Sequence, residues 1–286
     1  LHDADPGALQ RALAALDQGL ADLREARLLA ESPVAVRLRI VAAPTLAAAL
    51  EGAVYVQENI AEILEAKRTL FAAVDRLAAP DAILASSTST IIASRWSEGL
   101  PGRARCIVAH PVNPPHLVPL VELSPAPWTA PEIVARTKAL HESVGQVPIV
   151  VNKELQGFVL NRLQGALLAE AFRLHAGGYV SAEDIDKTVR DGLGLRWSFM
   201  GPFETIDLNA PGGVRDYATR YQQIYERLFP SMQRRVDWTG AVMEEVEKDR
   251  RKKLPADRLQ ERQVWRDRRL KALAAHKKKA SKEIGS

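Results

Sequence analysis

Apolar residues at the start of the chain recur with the period of an α-helix. Leucines stand at positions 9, 13, 16, 20 and 23, on one face of a helix that would run from Pro6 to about Glu31. Asp5 stands directly before Pro6, and an aspartate followed by proline at the first helical position is typical of a helix start. We therefore predict that the chain opens with an amphipathic helix.

Short apolar runs then alternate with helical patterns. We predict β-rich runs at residues 36–41, 54–56, 82–85, 106–109 and 148–151. Between them we predict helices at residues 45–51 and 62–77, the second with Leu64, Phe71 and Val74 facing inward. This alternation is typical of a parallel sheet covered by helices on both faces. The predicted fold class is therefore α/β and doubly wound, with ligands beyond the carboxyl ends of the strands.

The pattern becomes wholly helical after Lys153. A long apolar helix is predicted at residues 158–176 and ends at Gly177-Gly178. Ser181 then opens another helix with a capping-box-like start. We predict two domains, an α/β domain at residues 1–152 and an all-α domain at residues 153–286.

The first residues resemble the end of a strand more than a natural beginning. The chain opens with Leu1-His2-Asp3, and its methionines are Met200, Met232 and Met243. We therefore expect that an N-terminal piece is missing and that the α/β domain is truncated.

Composition narrows the class of protein. Apolar residues make up 47% and charged residues 26% of the chain, which is ordinary for a globular protein, and no apolar run reaches the ~18 residues of a membrane span. Cys106 is the only cysteine, so no intrachain disulfide can form, and we expect the protein to be cytoplasmic.

The net charge of +4 is concentrated near residues 248–253 and 276–282. This excess suits either a polyanion or, more simply, a solvated helix face. Without interleaved aromatics it does not indicate nucleic-acid binding.

A histidine and a glutamate are the strongest candidates for chemistry. His110 follows a predicted strand and begins the stiff segment His110-Pro111-Val112-Asn113-Pro114-Pro115. Glu122 interrupts an apolar run, and a buried carboxylate needs a partner. A His–Glu pair can remove a hydroxyl proton while the carboxylate orients the imidazole. A lone histidine at a strand end is also often structural, so the pairing is a hypothesis.

Two further polar positions have a structural and a functional interpretation. Ser86-Ser87-Thr88-Ser89-Thr90 could cap a helix, or Ser89 could bond a substrate oxygen. Asn161 lies on an otherwise apolar helix, so its amide needs a partner, which could be core or ligand.

Four segments in order carry a family resemblance. They are Ser86-Ser87-Thr88-Ser89, His110-Pro111-Val112-Asn113-Pro114, Gly157-Phe158-Val159-Leu160-Asn161-Arg162 and Met200-Gly201-Pro202-Phe203-Glu204. Together they resemble the 3-hydroxyacyl-CoA dehydrogenase superfamily, from Asp3 to about residue 270. Within it the chain particularly resembles the lambda-crystallin group, which acts on L-gulonate, at residues 107–115, 118–122, 192–196 and 263–267.

The resemblance implies roles for the candidate residues. His110 would be the general base and Glu122 its partner. Ser89 would bond the substrate hydroxyl, and Asn161 the substrate or the histidine. The fold implied is a Rossmann-type NAD-binding domain followed by an all-α domain.

The resemblance also implies a cofactor, NAD. Asp3 would bind the adenosine ribose hydroxyls, consistent with NAD over NADP, and Glu62 and Lys67 would line the nicotinamide side. The chain departs from the family pattern because G-x-G-x-x-G, the loop that holds the pyrophosphate, does not occur in it. We therefore expect the chain as given to bind NAD poorly.

The substrate and the assembly are less constrained by sequence. Arg196 suits a free carboxylate, Trp197 could instead cage a trimethylammonium group, and Arg196 could equally form an ordinary salt bridge. A free hydroxy acid is favoured over a CoA ester such as 3-hydroxybutyryl-CoA. Among free acids L-gulonate is favoured and carnitine is the alternative, and a non-catalytic structural protein is the alternative of another class. The apolar helix at residues 158–176, and Trp238, Met243 and Val246 beyond it, predict a homodimer through the helical half.

Overall fold

Five strands form one sheet in the computed structural model, which describes residues 1–285 except for the side chain of Pro6. The strands are β1 Tyr55–Glu58, β2 Ile83–Ser86, β3 Cys106–Pro111, β4 Leu120–Pro125 and β5 Val147–Val150. They lie in the order β1-β2-β3-β4-β5. The first three strands are parallel, β4 is antiparallel to β3, and β5 is parallel to β4.

Helices connect the strands and make up the regular structure described after β5. Those of the first half are α1 Pro6–Glu25, α2 Pro33–Arg37, α3 Leu46–Leu50, α4 Leu64–Leu77, α5 Ala93–Ser97 and α6 Pro131–Ser143. Those that follow are α7 Leu160–Ala176, α8 Ala182–Lys187, α9 Gly194–Trp197, α10 Pro202–Leu208, α11 Gly213–Met232, α12 Ala241–Lys253 and α13 Leu259–Ile284. A π-helical turn, Thr188–Leu193, lies between α8 and α9. The predicted class, an α/β sheet domain followed by helices, is confirmed.

The sheet is mixed, whereas the sequence pattern predicted parallel strands. The reason is the connection between β3 and β4, which comprises only residues 112–119. A crossover between parallel strands needs a dozen or more residues. Because this connection is shorter, β3 and β4 form an antiparallel hairpin. The hairpin register pairs His110 with Glu122.

Helices cover both faces of the sheet, as predicted. On one face Leu84, Cys106 and Val108 pack with Phe71 of α4 and Trp96 of α5, whose rings stack at 4.0 Å between centroids. On the other face a second cluster includes Ile83, Ala85, Ile107, Ala109 and, from α6, Ile133. Because side chains alternate along a strand, His110 shares the face of Cys106 and Val108.

The β-rich run predicted at residues 36–41 is wrong. The segment begins instead as helix α2, where the Ser32 hydroxyl accepts the amide of Ala35 and Pro33 occupies the first turn. A capping serine followed by proline favours a helix, and here this outweighs the strand preference of the valines. The first residues pair with the stretch that follows α2: the Leu1 amino group donates to Val41 O, and Ala43 N donates to Leu1 O.

The first helix begins as predicted, with Asp5 accepting the amide of Gly7. It ends earlier than predicted, at Glu25 rather than near Glu31. Arg27 has a φ of 57°, and Leu28 N donates to Leu23 O. A left-handed residue followed by this bond is the Schellman pattern of helix ends, which the leucine spacing does not reveal.

The contacts divide the chain into two compact units. The first comprises Leu1–Arg162 with Asp267–His276, and the second comprises the remaining residues, Leu163–Arg266 and Lys277–Ser286. The division expected at residue 152 stays a prediction about folding units. Within the described residues, no helix combines the length and the apolar character needed to cross a membrane.

Candidate active site

The β3–β4 hairpin brings the predicted pair together. His110 and Glu122 stand opposite each other in the antiparallel register, and such residues present neighbouring side chains on the same face. His110 Nδ1 lies 2.9 Å from Glu122 Oε2. Both side chains are buried, His110 at 7% and Glu122 at 0% exposure. The predicted His110–Glu122 contact is therefore confirmed, and its source is a hairpin that sequence reasoning missed.

Two backbone amides complete the surroundings of Glu122. Val159 N donates to Glu122 Oε1 at 2.8 Å and Leu160 N at 2.9 Å. Burial alone would raise the pKa of Glu122, but the hydrogen bonds from His110, Leu160 and Val159 hold it below its ordinary value. The carboxylate is thus kept ionised by donors that sequence reasoning did not identify.

The hydrogen bond to Glu122 also determines which nitrogen of His110 is basic. An ionised carboxylate can only accept, so Nδ1 of the imidazole carries the hydrogen. Nε2 of the neutral ring then keeps its lone pair. The pair can therefore take up a proton at Nε2, and the carboxylate would stabilise the resulting cation.

Ser89 and Asn161, from distant parts of the sequence, are in contact. The side-chain amide of Asn161 donates to Ser89 O at 2.9 Å. Within the described residues the exposed Ser89 hydroxyl makes no hydrogen bond, whereas Thr88 Oγ1 accepts the amide of Ile91 at 2.9 Å. Thr88 thus closes a local turn and does not cap a helix, because α5 begins only at Ala93 and has no side-chain cap. The capping interpretation of this segment is wrong, and Ser89 keeps a free hydroxyl. Asn161 also directly follows Leu160, whose amide binds Glu122.

A buried ionic network lies at the ends of β1 and β2. Lys67 is fully buried, and its Nζ lies 2.9 Å from Glu58 Oε1 and 3.6 Å from Glu62 Oε2. Ser86 Oγ donates to Glu58 at 2.5 Å. Lys67 is therefore held by protein partners. Sequence reasoning missed Glu58, although a carboxylate at the end of a buried strand is a signal that could have found it.

Glu62 belongs to the same network and reaches the serine segment. Its Oε1 accepts from the Thr88 hydroxyl at 2.6 Å and from the amides of Ser89 and Thr90 at 3.1 and 2.9 Å. Burial alone would raise the pKa of Glu62, but the bonds from Thr88 and Thr90 and the charge of Lys67 lower it. Glu62 and Lys67 are thus brought together, and Glu62 fixes the loop that carries Ser89.

Within the described residues, Asp3 and Arg196 form no hydrogen bond or ion pair with the residues of these clusters. Asp3 is exposed, and its Oδ1 accepts the amide of Asp5 at 2.8 Å. This leaves the carboxylate free to accept further bonds. Arg196 is exposed in α9, within the second unit. Its guanidinium makes no hydrogen bond or ion pair within the part of the chain that the structure describes.

Fold and site together define an oxidoreductase of the doubly wound α/β type, with a His–Glu pair at the carboxyl end of a strand. The family model described as 3-hydroxyacyl-CoA dehydrogenase, NAD binding domain, matches residues 1–155, and the model of the C-terminal domain of the same family matches residues 157–267. The chain belongs to the 3-hydroxyacyl-CoA dehydrogenase family. Its cofactor is NAD, and the chemistry of the family is NAD-dependent oxidation of a hydroxyl group.

Individual relatives cover both halves of the chain. Lambda-crystallin of Oryctolagus cuniculus is 42% identical over 282 residues, which are 97% of this chain and 88% of that protein. L-carnitine dehydrogenase of Pseudomonas putida is 39% identical over 186 residues, 65% of this chain and 57% of that protein. Among solved structures, an NAD+-dependent 5-formyl-3-hydroxy-2-methylpyridine 4-carboxylic acid 5-dehydrogenase has a TM-score of 0.80 at 28% identity, covering 95% and 88% of the two chains.

Proposed function

We propose that this protein oxidises the 3-hydroxyl group of a free hydroxy acid with NAD, and that L-gulonate, giving 3-dehydro-L-gulonate, is the first substrate to test. The observation that carries the proposal is the His110 Nδ1–Glu122 Oε2 contact of 2.9 Å. It leaves Nε2 as a base at the carboxyl end of β3, the end at which ligands of such sheets bind.

The proposed mechanism assigns the proton to the protein and the hydride to the cofactor. His110 Nε2 removes the proton of the substrate hydroxyl, and the ionised Glu122 stabilises the imidazolium that forms. A bound NAD would supply the acceptor for the hydride of the carbon that bears this hydroxyl. The free hydroxyl of Ser89 bonds the substrate oxygen, and Asn161 fixes Ser89 through its backbone carbonyl.

Three residues are proposed to form the cofactor site: Asp3 and Glu62 by direct contact, and the buried Lys67 through its ion pair with Glu62. The exposed carboxylate of Asp3 suits the two hydroxyls of the adenosine ribose. Glu62 and Lys67 lie beyond the ends of β1 and β2, where the nicotinamide end would be bound. Glu62 is bound by Thr88 and Lys67 by Glu58, so both side chains are already fixed in place without the cofactor.

The substrate class is proposed from charge. The guanidinium of Arg196 is exposed and can grip a carboxylate through two parallel hydrogen bonds. The resemblance to the lambda-crystallin group, which implies L-gulonate as the substrate, also supports a free acid. The alternative to a free acid is a CoA ester such as 3-hydroxybutyryl-CoA, in keeping with the family. The alternative to L-gulonate among free acids is carnitine, whose trimethylammonium group could rest on Trp197.

An NAD-reduction screen tests the proposal. The protein is assayed both as given and with a strand and G-x-G-x-x-G loop added before Leu1, because the chain itself has no such loop. The substrates are L-gulonate, carnitine, 3-hydroxybutyrate and 3-hydroxybutyryl-CoA, and His110→Gln serves as the control for each. We expect the highest kcat/KM with L-gulonate and loss of NADH formation in the variant. A higher kcat/KM with the CoA ester would replace the free-acid proposal. Failure of all four while NAD raises the melting temperature would favour a non-catalytic role.

We also propose that the protein is a cytoplasmic homodimer joined through its helical half. The face of α11 supports the dimer, because Tyr221, Ile224, Tyr225, Leu228 and Phe229 are between 39% and 49% exposed. Apolar faces of this extent indicate a protein partner, and a second copy of the chain would offer the same face. The free, buried Cys106 is in keeping with a reducing compartment.

A further inference from the structure

The buried carboxylate of Glu122 has three hydrogen-bond donors around it. Its Oε2 accepts from His110 Nδ1, and its Oε1 accepts from the amides of Val159 and Leu160 at 2.8 and 2.9 Å. Leu160 is the first residue of α7, so both amides belong to the start of a helix, whose dipole favours a negative charge there. Two of the three donors are therefore backbone groups, which a sequence motif does not reveal.

The chain reaches these amides through an unusual turn. Gly157 has a φ of 77° and Phe158 a φ of 50°, so two successive residues are left-handed. This conformation is disfavoured for phenylalanine and persists only where the surroundings fix it. The Phe158 side chain is fully buried, and its ring centroid lies 5.5 Å from that of His110. The turn thus aims the amides at Glu122 while Phe158 packs beside the imidazole.

No other titratable group is in contact with Glu122 within the described residues. β3 contributes His110, β5 contributes Ile149 at the paired position, and the start of α7 contributes amides only. Protonation of Glu122 would remove the charge to which these amides donate. Because the donors favour the ionised carboxyl, losing one of them must raise the pKa of Glu122.

We infer that the amides of Val159 and Leu160 are working parts of the site, which hold Glu122 as the carboxylate that orients His110. The Gly157–Phe158 turn is the positioning element that delivers them. This inference rests on the proposed function, in which His110 must be neutral and correctly oriented to accept a proton. Neither the turn nor the amides touch the reacting atoms, so their effect passes through Glu122.

Leu160→Pro removes one donor and little else. Proline is well tolerated at the first position of a helix, where its missing N–H breaks no bond within the helix. We expect the pKa of Glu122, followed by carbon NMR of the labelled carboxyl, to rise by about one unit. The carboxyl signal that disappears in Glu122→Gln is the signal of Glu122. Leu160→Ala is the matched control, because it trims the side chain, keeps the N–H and should leave the titration unchanged.

Gly157→Ala tests the turn by a different route. An added Cβ would meet nothing closer than 3.9 Å, so the substitution acts through the left-handed φ and not through a clash. We expect the pKa of Glu122 to rise here too, by less than with Leu160→Pro. If Leu160→Pro fails to fold, this variant decides the question.

The titration needs neither NAD nor substrate, so it separates this inference from the proposed function. An unchanged pKa of Glu122 in folded Leu160→Pro, or in Gly157→Ala should the proline variant not fold, overturns the inference even if the acid screen succeeds. Conversely, a failed screen leaves the titration decisive for the role of the amides. With an active substrate, the acid limb of the kcat/KM profile should move to higher pH in Leu160→Pro and stay in place in Leu160→Ala.

Discussion

The two units differ in what they bury. The first holds both hydrophobic clusters and most of the buried polar groups, including the ionic network of Lys67 and the pair of His110 and Glu122. Within the described residues of the second, only Arg173, Ala182, Thr205 and Ala210 are buried. A sheet covered on both faces makes a core within one chain, whereas the amphipathic helices of the second unit leave apolar faces uncovered.

This difference indicates that the first unit can hold a catalytic site and that the second needs a protein partner to cover its apolar faces. A buried charge is stable only when it is paired, and the first unit supplies partners for each carboxylate at its proposed site. Exposed apolar faces instead favour association. We therefore expect substitutions in the first unit to change the reaction, and substitutions in α11 of the second to change the assembly.

The largest effect expected is on catalysis, from His110→Gln. A general base contributes about a hundred- to ten-thousandfold to rate, so kcat/KM for the best acid should fall within that range. The assay is NADH formation, and sedimentation should show the same assembly as the wild type. A fall in kcat/KM of less than about tenfold would mean that the His110–Glu122 pair is structural. The two units would then not differ in catalytic function.

The next effect concerns assembly, from Leu228→Glu on α11. A charge placed in a buried apolar contact is costly, so the proposed dimer should weaken by about a hundredfold or more in Kd. Light scattering at micromolar concentration measures this. Gln223→Glu, on the opposite side of the same helix, is the control and should leave the dimer intact. A wild-type protein that is monomeric at this concentration would contradict the proposal.

Sequence alone predicted the elements better than their pairing. The strands around residues 54–56, 82–85, 106–109 and 148–151 are all present within a residue or two. A short apolar run marks a strand whether the strand is buried, like β2 and β3, or partly exposed, like β5. The antiparallel return of β4 was missed, although the short, proline-rich link after His110 is its physical cause. Pairing depends on the length and direction of connections, which hydrophobic spacing does not contain.

The candidate site shows the same limit. His110 and Glu122 could be chosen because a histidine at a strand end and a carboxylate in an apolar run are conspicuous. The amides of Val159 and Leu160 could not, because any residue has an N–H and only the fold aims it. Glu58 could have been found with the same reasoning that found Glu122.

A third effect, on substrate binding, is expected from Arg196. Arg196→Ala should raise KM for the free acid by about ten- to a hundredfold, since a charge-assisted contact is worth about 1.5–3 kcal/mol. Arg196→Lys keeps the charge without the two-point fork and should have a smaller effect. The Kd of NAD, measured by calorimetry, should stay unchanged in both. An unchanged KM would show that Arg196 is not the cation that binds the carboxylate of the acid.

A fourth effect links the pair to the stability of the first unit. The pKa of Glu122 is lowered in the folded chain from an ordinary value of 4.5, so its contribution to stability is fully present above that value and is lost as the pH falls through the folded pKa. Glu122→Gln should lower the free energy of unfolding by about 1–3 kcal/mol at neutral pH. In acid, the difference in unfolding free energy between the variant and the wild type should disappear. Urea unfolding at several pH values measures it. A gap that does not vary with pH would contradict the ionised carboxylate.

The smallest effect compares the same interaction in both units. Ser32 caps α2 and Ser181 caps α8, each accepting an amide at 3.1 Å from an exposed position. Replacing either by alanine should cost about 1 kcal/mol locally. If each unit is stabilised by its own contacts, hydrogen exchange should accelerate in α2 for Ser32→Ala and in α8 for Ser181→Ala, and it should stay unchanged in the other unit. Faster exchange along β3 and β4 in Ser181→Ala would instead mean that the core of the first unit depends on the helices of the second for its stability.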